Sequence, residues 1–155
     1  MIHRDLIDVA QQLLQPVAEF KATQAAVRRS ISTSYYALFA ATSSMVANIL
    51  IGSDTQTRLS SSWTRAYRSL DHSKVKSIAK VFARTDPRFQ IYAWATAFIA
   101  LQEARHIADY DPACPFSVNE AVDHVYFATV GCDALENLSR ELALDLASNL
   151  AFRER

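Results

Sequence analysis

Phe89-Gln-Ile-Tyr-Ala-Trp-Ala-Thr-Ala-Phe-Ile-Ala-Leu-Gln-Glu-Ala-Arg-His-Ile-Ala-Asp-Tyr-Asp-Pro112 is the stretch on which the reading of this chain turns. Its first part, Phe89 to Leu101, is apolar almost all the way round a helix, the pattern of a buried element. Its end differs: Arg105, His106, Asp109, Tyr110 and Asp111 crowd together before Pro112 closes the segment. Ionisable groups at the end of a buried helix are costly unless they are paired or used. Arg105 and Asp109 continue the helical stripe of Trp94, Phe98 and Leu101, while His106 and Tyr110 continue the neighbouring line of Ile91, Ala95, Ile99 and Gln102. A guanidinium, an imidazole, a carboxylate and a phenol thus gather within about one helical turn. The plain alternative is an ordinary polar helix end, with Arg105 and Asp109 as an intrahelical pair.

Outward from this segment the chain reads as about five helices. The first covers about 4–20, with Leu6, Val9, Leu13 and Val17 on one stripe and Pro16 as a bend or break. The second covers about 24–51, capped by Thr23 and ended by Gly52. Its stripe Ile31, Tyr35, Leu38, Thr42, Met45, Ile49 has core-facing spacing, and Ala37, Ala40, Ala41, Ser43 and Ser44 allow another helix to approach closely. The polar stretch 53–62 reads as a loop, followed by a third element broken near Asp71-His72-Ser73 into pieces of about 62–70 and 73–84. Asp86-Pro87 reads as a cap and first-turn proline for the fourth helix. Ser117-Val-Asn-Glu120 is a capping box for a fifth helix running to about 151. The helices at 24–51 and 88–109 carry the widest apolar stripes and are expected to pack as antiparallel neighbours, with 118–151 beside them.

Composition agrees. In 155 residues there are only two glycines and four prolines, too few turn formers for an all-β or α/β protein of this size. A single all-α domain over 1–155 is expected. The opening residues lack the apolar core of a secretory signal, and no apolar run approaches the roughly 18 residues of a membrane span. Cys114 and Cys132 are too few for a disulfide framework, so a cytoplasmic protein with reduced thiols is expected. The net charge of zero hides an asymmetry: residues 54–90 carry eight basic side chains against three acidic, and residues 91–155 carry ten acidic against four basic. The basic segment is either a face for phosphate-bearing partners or a surface that docks on the acidic C-terminal third.

Metal and nucleophile chemistry find little support. No two of His3, His72, His106 and His124 are four apart, and neither HExxH nor CxxC is present. No metal site and no cofactor are expected. Arg28 and Arg29, before Ser30-Ile-Ser-Thr-Ser-Tyr-Tyr36, form a second cluster. Either these arginines bind a phosphate or partner, or they hydrogen-bond carboxylates or carbonyls while the tyrosines pack. Trp63, Arg65, Tyr67 and Arg68 interleave aromatics with charge as nucleic-acid surfaces do, although Trp63 and Tyr67 also suit a small core contact.

Arg28-Arg-Ser-Ile-Ser-Thr-Ser-Tyr-Tyr-Ala-Leu-Phe39 and Arg105-His-Ile-Ala-Asp-Tyr-Asp-Pro112 resemble the hallmark segments of HEPN-like domains (higher eukaryote and prokaryote nucleotide-binding). The nearest likeness is to a small bacterial branch with an Arg-x-x-Ala-Asp-Tyr-Asp ending, and Trp63-Thr-Arg-Ala-Tyr-Arg-Ser-Leu-Asp-His72 is similar to that branch too. The resemblance implies an up-and-down helical bundle that forms a homodimer. Such domains are often encoded beside a nucleotidyltransferase in toxin–antitoxin or defence pairs. Many are metal-independent endoribonucleases whose motif is an Arg, four to six residues, then a His, with two copies meeting across the dimer. Arg105 matches the motif Arg, His106 takes the next position, and Tyr110 stands where the shortest spacing would place the His.

RNA cleavage by 2′-hydroxyl attack needs a base of near-neutral pKa and a cation for the developing charge. Arg105 can supply the cation. His106 suits the base by its chemistry, yet about 100° of helix separates it from Arg105, and a tyrosine of pKa about 10 is a poor base. The resemblance therefore implies a non-cleaving or weakly active module that binds a partner protein, a nucleotide or an RNA phosphate. Its alternative is an endoribonuclease toxin with a composite site at the dimer interface. The residues implied are Arg105, His106, Asp109 and Tyr110 for chemistry, and Arg28, Arg29 and Arg105 for phosphate or partner.

Overall fold

A computed structural model of the chain describes residues 2–15, 23–86 and 88–152. Every regular element among them is a helix: α1 (Ile2–Gln12), α2 (Gln24–Leu50), α3 (Thr55–Arg58), α4 (Ser61–Tyr67), α5 (His72–Thr85), α6 (Phe89–Tyr110), α7 (Val118–Glu136) and α8 (Arg140–Ala151). None of them is long and apolar enough to cross a membrane. The all-α expectation holds, and the helices number eight rather than about five.

Short polar side chains make the additional breaks. Asp54 accepts from Thr57 N and sets a single turn, α3, inside the stretch read as a loop. Ser60 then caps α4, and Asp71 caps α5 by accepting from Ser73 N and Lys74 N. The expected single helix over 118–151 is two: α7 stops at Asn137, and Ser139 opens α8 by accepting from Leu142 N at 3.2 Å. Asn and Ser offer the backbone hydrogen bonds that compete with a helix interior, whereas the apolar spacing on either side gives no sign of the stop. The capping box at Ser117 and Glu120 forms as the sequence predicts, and so does the Thr23 cap.

Asp86 does not cap α6. It closes α5, and its buried carboxylate takes the backbone N–H of Arg88 at 2.9 Å as well as the Arg88 guanidinium, which also reaches Asp145 at 3.0 Å. Arg88 is the N-cap, without a side-chain capping bond. Pro87 lies outside the described residues, as do Pro16 and the continuation of the first helix to residue 20.

α2 and α6 form the centre and run antiparallel: Thr42 meets Trp94, Phe39 meets Phe98, Tyr36 meets Arg105 and Arg28 meets Ala108. Ile31, Tyr35, Leu38, Ile91, Trp94, Phe98 and Leu101 are fully buried between them and their neighbours. α7 crosses both at Gly131, where a Cβ would stand 2.8 Å from Leu38 Cδ1 and 3.2 Å from the Ala97 Cβ, so a side chain there would force the core apart. Most of the buried hydroxyls of α2 for which a bond is seen tie it to itself or its neighbours: Thr42 donates to Leu38 O at 2.8 Å and accepts from Trp94 Nε1 at 3.0 Å, and Ser30 donates to Ala10 O at 2.7 Å. The buried Ser43 hydroxyl has no partner among the described residues.

Part of the basic middle docks on the C-terminal half. Lys74 donates to the carbonyls of Leu150 and Phe152, Lys76 pairs with Glu103 at 3.3 Å, and Arg88 reaches Asp145. Arg65, Arg68, Lys80 and Arg84 stay exposed. Trp63 stacks on Tyr67 with centroids 5.2 Å apart and donates to Asn48, so this aromatic pair packs onto α2.

α1 is fastened to α7 by charge. Arg4 donates to Asp133 and Glu136 at 2.6 Å, and His3 Nε2 lies 2.9 Å from Glu136 Oε1. The hydrogen bond from Arg4 holds the Glu136 carboxyl below the ordinary value of 4.5. A depressed folded-state pKa means that the stability Glu136 contributes is present above that value and is lost as the pH falls through and below it. Thermal melts from pH 6 to pH 3 should show this loss. Glu136→Gln should remove under about 1 kcal/mol of it, because the pair is partly solvated. An unchanged pH slope in the variant would exclude Glu136 as a source of acid sensitivity.

Candidate functional site

The antiparallel pairing of α2 and α6 sets the C-terminal end of α6 against the first turns of α2, and the ionisable cluster assembles there. Arg105 is its centre. Its Nη2 donates to the Tyr36 hydroxyl at 2.9 Å. Its Nε stands 2.7 Å from Asp109 Oδ2 but off the N–H direction, a contact between charges rather than a hydrogen bond, which leaves that buried N–H without an acceptor. Three phenol rings surround the guanidinium carbon, Tyr110 at 5.3 Å, Tyr36 at 5.6 Å and Tyr35 at 5.9 Å, within cation–π range. Partial burial opposes the charge, yet the Tyr36 hydrogen bond and the Asp109 carboxylate outweigh it and raise the Arg105 pKa further. Arg105 is therefore a fixed cation. Asp109 is steadied in turn by Ser32, whose hydroxyl donates to Oδ1 at 2.5 Å.

The other residues singled out in the sequence part company here. Arg28 points into the turn that follows α6: Nη1 donates to Ala108 O at 3.0 Å and to Asp111 O at 2.9 Å, and Nη2 to Cys114 O at 2.6 Å. This is the carbonyl-binding alternative, with most of the guanidinium occupied by backbone. Arg29, its neighbour, is exposed and makes no hydrogen bond among the described residues. His106 is exposed too; its ring lies beside that of Tyr110, with centroids 5.2 Å apart, and makes no hydrogen bond among the described residues. Tyr110 is 64% exposed, so the phenol standing at the motif's His position is open to ligand.

His72 enters the cluster from a direction the sequence did not disclose. It is the first residue of α5, and it lies flat on Phe39 with centroids 4.0 Å apart. Its Nδ1 is 2.5 Å from the Tyr35 hydroxyl, and Gln102 Nε2 donates to its carbonyl at 3.2 Å. Gln102 Oε1 is buried beside it without a donor. Burial, reinforced by the Arg105 charge, lowers the His72 pKa. Burial also drives the Tyr35 phenol well above its ordinary value. One sequence signal pointed this way: Tyr35 sits on the buried stripe of α2, and a buried phenol wants a polar partner. Nothing in the sequence says that the partner is His72.

The assembled site thus holds one fixed cation, one carboxylate, one imidazole and a wall of tyrosines. Among the described residues no three His, Cys, Asp or Glu side chains come together as a metal set. Compared with known protein families, curated proteins and solved structures, the chain matches none.

Proposed function

We propose that this chain is a HEPN-like module that binds a phosphate group of RNA or a nucleotide at Arg105 without cutting it. The setting of Arg105 carries this reading. Its Nη1 has no partner among the described residues, its charge is permanent, and its fork suits phosphate oxygens. Tyr36 and the exposed Tyr110 flank it with ring faces on which a nucleobase can stack. The endoribonuclease alternative lacks a placed base at the motif positions, because no hydrogen bond among the described residues orients His106 and a phenol stands where the motif's His would. On this reading the module works in the cytoplasm beside a nucleotidyltransferase or antitoxin partner, as the sequence resemblance implies.

Fluorescence anisotropy with a labelled oligouridylate tests it. The wild type should bind, more weakly as salt rises. Arg105→Ala should lower the affinity about thirtyfold or more at temperatures where the variant stays folded, the lost Tyr36 and Asp109 contacts costing it some stability as well. A variant that melts several degrees lower and binds as before would make Arg105 a structural residue only.

The resemblance also implies a homodimer with Arg105 close to its symmetry copy. Exposed Tyr110 and His106 support an interface at this end. A competing face lies at the far end of α6, where exposed Phe89, Tyr92 and Tyr126 border a groove floored by Ala93 and Ala97. Sedimentation at micromolar concentration should show about twice the 17.3 kDa of one chain. A species of 17.3 kDa alone would count against any dimer.

A further inference from the structure

We propose that His72 is the second phosphate-contacting side chain of this site, presenting a fixed Nε2–H donor beside the Arg105 guanidinium to an internal phosphodiester of RNA. The inference rests on the Arg105 reading above and adds to it a residue, a protonation pattern and a kind of phosphate.

Position comes first. His72 and Arg105 flank the same two phenols: the His72 ring lies 5.7 Å from that of Tyr35 and 6.5 Å from that of Tyr36, while Arg105 Cζ lies 5.9 Å and 5.6 Å from the same rings. Phe39 supports one face of the imidazole, and Gln102, about one turn before Arg105 on α6, holds its carbonyl. Asp71 fixes the turn that delivers it by accepting from Ser73 N and Lys74 N at 2.9 Å. The ring is held from below, through its backbone and at Nδ1.

The proton pattern follows from the Tyr35 contact. At neutral pH both partners are uncharged. Burial keeps the proton on the phenol. The packing of one side of the imidazole on Phe39 and Tyr35, together with the Arg105 charge, lowers the His72 pKa below its ordinary value, although the residue's outer edge stays exposed. Two arrangements are then possible across 2.5 Å. If Nδ1 carried the proton and donated to the phenol oxygen, the Tyr35 O–H would be left without an acceptor. Tyr35 is 1% exposed and His72 is its one polar partner among the described residues, so that arrangement strands a buried donor. The phenol therefore donates to Nδ1, and the imidazole proton sits on Nε2. That nitrogen has no partner among the described residues, and His72 is exposed.

Nε2 so protonated donates a hydrogen bond and does not take up a proton, so His72 grips a phosphate and does not act as a base toward a 2′-hydroxyl. The charge balance selects the phosphate. Arg105 is partly offset by Asp109, and a neutral imidazole adds no charge, so the site suits the single negative charge of an internal diester better than a doubly charged terminal phosphate.

Two measurements decide it, using a labelled oligouridylate without terminal phosphates as the probe. In the intact protein, long-range nitrogen–proton NMR of the histidine rings should show His72 as the Nε2–H form at neutral pH, its resonances moving when the probe is added. An Nδ1–H ring, or one that ignores the probe, overturns the proposal and needs no variant. In binding, His72→Ala should weaken the probe about tenfold or more, the size of one hydrogen bond to a charged group. Loss of binding in Arg105→Ala with full binding in His72→Ala sinks the role of His72 and leaves the Arg105 reading standing. A wild type that does not bind the probe removes both. Cleavage of the probe by the wild type, abolished in His72→Ala, would make His72 a base and overturn the donor assignment.

Discussion

Replacing Phe98 by alanine is expected to destabilise the protein by about 3–5 kcal/mol. Phe98 is fully buried in α6 and meets Tyr35, Trp94 and Phe39 with centroids 5.7, 5.9 and 6.4 Å away. Its removal takes the transfer free energy of the ring, leaves a cavity between the two longest helices, and breaks the edge contact with Tyr35, a kind worth about 0.5–1.5 kcal/mol beyond area. The hole cannot close easily. α7 already touches both helices at Gly131, where there is no room for a Cβ, so the helices are held at a fixed separation. Against a total stability of about 5–15 kcal/mol the loss is large. Urea denaturation should show a lower midpoint with an unchanged slope. A cost below about 1.5 kcal/mol would mean that the core collapses into the space, and that α2 and α6 are not locked as described.

The same ring explains what could be read from the sequence and what could not. Trp94, Phe98 and Leu101 announce a buried face on α6, and Ile31, Tyr35 and Leu38 announce its counterpart on α2, because apolar periodicity records which side of a helix is dry. Once those faces meet in antiparallel fashion, Arg105 must arrive near Tyr36, and this much of the site was legible. The arrival of His72 was not. It depends on where a break between two helices falls and on how α5 folds back over Phe39, and spacing along one helix carries no information about a third. The break at Asn137-Leu138-Ser139 is not legible in the sequence, because the apolar spacing runs on beyond it while two polar caps decide where hydrogen bonding stops. Asp86 misleads for a related reason: its identity suits a helix cap, yet its burial and its pairing with Arg88 assign the carboxylate elsewhere.

Arg28 is the residue at which the two readings of the sequence separate most sharply, and Arg28→Ala is expected to lower stability by about 2–4 kcal/mol. The guanidinium gathers three carbonyls, those of Ala108, Asp111 and Cys114, at the point where α6 ends and the chain turns towards α7. Gln24, one turn earlier on α2, holds both the N–H and the carbonyl of Phe116, whose ring lies 6.0 Å from Arg28 Cζ. The turn is thus tied to the start of α2 from both ends. Hydrogen bonds to a charged group contribute about 1.5–3 kcal/mol, and truncation leaves partly buried carbonyls without a donor. Arg28→Lys should recover little, because a single ammonium cannot span carbonyls that a planar fork reaches together. Amide exchange in 111–117 should accelerate in both variants. RNA binding through Arg105 should persist at temperatures where the protein stays folded, because Arg105 keeps Tyr36 and Asp109 as neighbours. The opposite pattern, full stability with RNA binding lost, would make Arg28 a phosphate ligand and move the centre of the site from α6 to α2.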